Sequence, residues 1–82
     1  MVTIFVPDLP EFAPLLDGAR AVGSRIEPPA RGYWRIVSDG ELSFRRKELG
    51  LGPALWNSAL TGGFIGRIAE YDRDVLRIES RD

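Results

Sequence analysis

The chain has 82 residues, of which 44% are apolar and 28% charged, which fits one globular domain spanning 1–82 with no room for a second core. It contains no histidine and no cysteine, and its cations are ten arginines and Lys47. Cys/His zinc sites, disulfides, imidazole acid–base chemistry and Ser/His or Cys/His nucleophile pairs are therefore excluded. The net charge of −1 is uneven: residues 1–19 carry three acids and no cation, residues 20–47 seven cations against three acids, and residues 48–82 four cations against six acids.

The first predicted element is a strand over residues 2–6, rich in β-branched and aromatic side chains and ended by Pro7. This start lacks a basic segment before its short apolar run, so it reads as neither a leader nor a membrane span, and a cytoplasmic location is expected. Pro7, Pro10 and Pro14 break the next stretch, which reads as loop with at most two helical turns around residues 11–16. Residues 19–27 have strand character weakened by Gly23, and Pro28, Pro29 and Gly32 predict an irregular connection.

YWRIVS, Asp39-Gly40 and ELSFRR together predict a β-hairpin, because Asp-Gly suits the two positive-φ positions of a type I′ turn. That register sets Val37 opposite Leu42, Arg35 opposite Phe44 and Trp34 beside Arg45, with large apolar groups on both faces. Both faces then need cover, and one cover would be a second subunit. Pro53 opens a short helix over residues 53–60, with Leu55/Ala59 and Trp56/Leu60 stacked at i,i+4 and Trp56 as its anchor. Thr61, Gly62 and Gly63 stop that helix. They do not form a phosphate loop, because such a loop precedes its helix.

FIGRIAEY, a turn at residues 72–74 and VLRIES predict a second hairpin, with Tyr71 opposite Val75, Ile68 opposite Ile78 and Arg67 opposite Glu79. Glu70 would then point inward opposite Leu76, making it the carboxylate most worth checking for acid–base work. Asp72 and Asp74 read as turn formers, with no metal assigned. The segment GRIAEYDRDVLRIE resembles a hairpin of small SH3-like and Sm-like β-barrels; the resemblance implies a barrel-like architecture and carries no ligand or site residue.

These elements predict an α+β, mainly β fold: two β-hairpins and one or two further strands in a twisted sheet or partly open small barrel, with one short helix at about 53–60. No catalytic, cofactor or metal site is expected. The candidate contact surface is Tyr33, Trp34, Arg35, Arg45 and Arg46, since an aromatic beside arginine is a frequent interface anchor. The expected function is a non-catalytic protein–protein interaction or accessory module, self-associating or binding a protein partner. Arginine in place of lysine, with abundant Ala, Gly and Pro, suggests a bacterial origin. The first alternative is an anionic metabolite held through arginines. The second is an RNA-binding barrel, disfavoured by the near-neutral charge.

Overall fold

Val2, Ile4 and Val6 recur with period two, so strand β1 (Val2–Pro7) buries all three fully on one face. In the computed structural model, which describes residues 1–81, β1 pairs on one side with β3 (Tyr33–Ser38) and on the other with β5 (Phe64–Ile65). The strand β2 (Arg25–Ala30) extends this sheet beyond β3, giving an antiparallel order of β2-β3-β1-β5. A second antiparallel sheet sets β7 (Val75–Glu79) between β4 (Leu42–Arg45) and β6 (Arg67–Tyr71). The fold is α+β and mainly β, with two hairpins and further strands in two sheets that do not close into one barrel.

The hairpins are β2–β3 and β6–β7, so the first is not the one that Asp39-Gly40 predicts. Strand β3 pairs only within the first sheet and β4 only with β7, and residues 39–41 carry the chain from one sheet to the other. The mixed faces of the expected hairpin explain this. Trp34 and Ile36 turn inward from one sheet while Leu42 and Phe44 turn inward from the other, so these four apolar groups share a single core within one chain. The tight turn lies instead at Arg31-Gly32, where φ is 57° and 85°, as type I′ geometry requires. Pro28 and Pro29 sit in β2 because it is an edge strand, bulged between Glu27 and Ala30, where the ladder is already interrupted.

The segment expected to be mostly loop holds a 3-10 turn (Pro10–Phe12) and helix α1 (Ala13–Ala21). Pro14 falls in the first turn, where no intrahelical donor is needed. Phe12, Leu15, Leu16 and Ala19 recur at i, i+3, i+4 and i+7, and all four are buried. Gly18 is the close-packing point: a Cβ there would collide with Leu49, which belongs to the single-turn helix α2 (Arg46–Leu49). The expected helix at 53–60 appears as α3 (Pro53–Asn57), prolonged by i→i+3 turns from Leu55 to Thr61. Trp56 is fully buried, as expected of its anchor.

The β6–β7 register matches expectation at Arg67/Glu79 and Ile68/Ile78, then shifts by one residue at a bulge, pairing Glu70 with Arg77 and Tyr71 with Leu76. Glu70 is consequently exposed rather than inward, and Ile68, on an edge strand, stays 42% exposed. Gly66 carries the chain directly from β5 in the first sheet to β6 in the second. Its φ is 141°, and a side chain there would meet Ile78 and the Glu79 carbonyl. Among the described residues, no helix is long and apolar enough to cross a membrane.

Candidate interaction surface

The core takes helical contributions from α1 and α3, has Leu49 of α2 packed against it, and lies between the three-stranded sheet and the inner face of the four-stranded sheet. On that sheet's outer face, register places Phe5 of β1 beside Arg35 of β3, with Glu27 of β2 beyond it, and Tyr33 two residues along. Tyr33 is 40% exposed, Ile65 on the neighbouring β5 is 50% exposed, and neither belongs to the buried core. The Glu27 carboxylate holds the Arg35 guanidinium at 2.7 Å and the Arg25 guanidinium at 3.2 Å. The Tyr33 ring rests against the backbone of Gly62, where any Cβ would strike both the ring and the Phe5 carbonyl.

Phe5, Ala30, Arg31, Tyr33 and Arg35 line a concavity of about 360 Å³ on this face. None of those five residues is acidic, and Arg31 has no ion-pair partner among the described residues. Tyr33 and Arg35 are thus the two sequence-predicted residues that meet. Phe5 and Arg31 complete the group and escape sequence reading, because their proximity depends on the β1–β3 pairing and on a turn placed eight residues before Asp39. The sequence offers only a weak signal for this turn, Gly32 before the strand formers at 33–37, because Pro28 and Pro29 on its other side argue against a strand.

The other predicted residues lie elsewhere. Trp34 points to the inner face, packs against the core and donates from its indole Nε1 to Asp8 Oδ1 at 3.0 Å. Arg45 ends β4 in the other sheet and borders a separate concavity with Lys47, Glu48 and Asp74, where two acids balance two cations. Arg46 is a staple: its Nε donates to the Arg73 carbonyl at 2.7 Å and its Nη1 to the Leu51 carbonyl at 3.2 Å, while Asp74 lies 4.0 Å from Nη2. Only 21% of its side chain is exposed. The expected pairing of Arg35 with Phe44 and of Trp34 with Arg45 fails because β3 and β4 are in different sheets.

The outer face of the three-stranded sheet is of another kind. Arg77 stands among Glu41 at 3.5 Å, Glu79 at 3.2 Å and Glu70 at 4.0 Å, and Arg67 meets Glu79 at 3.2 Å. This is a charge-compensated, solvated surface. At its end, the Asp72 carboxylate accepts from the N–H groups of Asp74 and Val75 at 2.8 and 2.9 Å, which hold it below its ordinary pKa. Tyr71 donates its hydroxyl to the Trp56 carbonyl at 2.6 Å, and burial raises its pKa. Compared with known protein families and with curated proteins, the chain matches none.

Proposed function

We propose that this chain is a non-catalytic protein-interaction module, an accessory or regulatory domain of a bacterial system working in the cytoplasm, whose contact surface is the outer face of the four-stranded sheet. The observation that carries this reading is the contrast between the two outer faces. One is a closed ledger of arginine–carboxylate pairs; the other exposes Tyr33 and Ile65 beside arginines that have more charge than their single acid, Glu27, offsets. Exposed aromatic and aliphatic groups interleaved with arginine are the composition of an interface centre. Weighing against RNA, Arg46 is committed to backbone carbonyls and Arg77 to three carboxylates, leaving no continuous basic track.

A photo-crosslinking side chain at position 33, compared with one at position 43 on the opposite outer face, tests the reading in the native host. Discrete protein adducts, hetero- or homotypic, are expected from position 33 and not from 43. Equal labelling from both faces would sink it. The second reading, a small anionic metabolite held by Arg31 and Arg35, is favoured by the concavity itself. It calls for a compact ligand that protects the fold in thermal shift.

A further inference from the structure

We infer that the concavity formed by Phe5, Arg31, Tyr33 and Arg35 is a carboxylate-binding site for an acidic peptide segment of a protein partner, an inference that rests on the interaction reading above. Two guanidiniums and two aromatic rings line it, with no acidic residue among the lining groups. Arg35 is oriented by Glu27 at 2.7 Å, and a guanidinium held through some of its five donors keeps the others for a second carboxylate. Arg31 presents its charge from a turn and has no ion pair among the described residues. Against the single acid Glu27, the cations Arg25, Arg31 and Arg35 leave an excess of two positive charges on this face.

Charge complementarity therefore selects an anionic occupant, and the surroundings select a peptide. The Phe5 and Tyr33 rings offer apolar contact between the arginines, and Ile65 extends that contact past the concavity along the same face. A chain alternating acidic and apolar side chains matches such a row, whereas a compact metabolite covers only part of it. A nucleic-acid backbone would bring continuous phosphate charge against Glu27, with no further basic track to follow.

The probe is a fluorescein-labelled heptapeptide of alternating glutamate and leucine, read by anisotropy at low salt, with a glutamine-for-glutamate version as its control. Saturable binding is expected for the wild-type protein and only for the glutamate peptide. A tenfold or greater loss is expected in the Arg31→Gln/Arg35→Gln variant, and less than a twofold change in Arg45→Gln/Lys47→Gln, which removes equal charge from the separate concavity beside the end of β4. Both pairs are exposed, and circular dichroism confirms that each variant is folded. Equal affinity for the two peptides, or equal loss in the two variants, overturns the inference. So does displacement of the peptide by inorganic phosphate or a single-stranded oligonucleotide at lower concentration than by free glutamate peptide. If crosslinking at position 33 captures a protein while the peptide fails to bind, the carboxylate site falls and the interaction reading stands.

Discussion

The Tyr71 hydroxyl donates to the Trp56 backbone carbonyl at 2.6 Å, while the two rings meet edge to face with centroids 6.1 Å apart. This contact, with the indole Nε1 donating to the Asp72 carbonyl at 2.6 Å, fastens α3 to the β6–β7 turn. A five-residue helix is marginal alone, so its order depends on these bonds. Tyr71→Phe keeps the ring and removes one hydrogen bond, for an expected loss of about 1 kcal/mol in urea unfolding at neutral pH. The alkaline limb should change too. Burial raises the Tyr71 pKa in the folded state, so its contribution is fully present below the ordinary tyrosine value of about 10 and is lost as pH rises through the folded value. Wild type should lose stability above about pH 10 more steeply than Tyr71→Phe; parallel curves would refute the assignment.

Asp72 works in the opposite direction. The Asp74 and Val75 N–H groups favour its charged form and lower its pKa, so the turn's contribution is present above the ordinary aspartate value of about 4 and is lost as pH falls through the lower folded value. Asp72→Asn retains an acceptor oxygen for the same two donors and loses the titration. Its thermal unfolding midpoint should fall less between pH 6 and pH 2.5 than that of wild type, whereas Asp72→Ala should be less stable at every pH.

Arg46 was legible in the sequence as part of a cationic run, and its structural role was not. Whether an arginine is free or stapled depends on which loops reach it, here residues 51 and 73. Arg46→Met should lower stability by about 2 kcal/mol, since two charge-assisted bonds vanish and two carbonyls lose their donor. The same change should leave binding at the four-stranded sheet unaltered. A variant as stable as wild type, measured by its urea midpoint, would return Arg46 to the list of contact residues.

Local pattern carried much of the fold. Alternation located β1, the proline start located α3, and the Arg67/Glu79 pairing survived into the structure. Long-range choices were not legible. The Asp39-Gly40 pair has strong turn propensity, yet burying Ile36 and Phe44 together outweighs it, and that gain exists only once two sheets face each other. Helix α1 was hidden differently: Pro10 and Pro14 read as breakers, although the buried set Phe12, Leu15, Leu16 and Ala19 already had helical spacing. Of the five proposed contact residues, Tyr33 and Arg35 share a concavity because they are i,i+2 on one strand, a relation that needs no tertiary knowledge. Pairing either with Arg45 or Arg46 required the hairpin that did not form.

Gly62 links stability to the candidate face. Its missing Cβ is occupied by the Tyr33 ring and by the backbone oxygen of Phe5, and the backbone cannot yield as a side-chain tip can. Gly62→Ala should cost roughly 1–3 kcal/mol as an overpacking change and should displace Tyr33 from its seat. Increased acrylamide quenching of tyrosine emission, measured in a Trp34→Phe/Trp56→Phe/Tyr71→Phe background that still folds, would register that displacement. An unchanged urea midpoint in the single variant would show that the loop moves aside freely.

Arg31 offers the sharpest separation of stability from binding. It is the only non-glycine residue at positive φ among those described, in the first position of a type I′ turn where asparagine is preferred. A left-handed conformation costs a residue such as arginine about 1 kcal/mol more than it costs asparagine or glycine, so Arg31→Asn should raise stability by about 0.5–1 kcal/mol. If the turn were only a connection, this replacement would be neutral or favourable in every assay. If Arg31 supplies the uncompensated charge of a carboxylate site, the more stable protein should bind the glutamate peptide at least several-fold more weakly. Arg31→Lys should share the wild-type strain and recover part of the affinity, because an ammonium supplies the charge without the paired donors of a guanidinium. A stabilised Arg31→Asn variant with undiminished peptide affinity would remove Arg31 from the site and leave Arg35 as its single contributing cation.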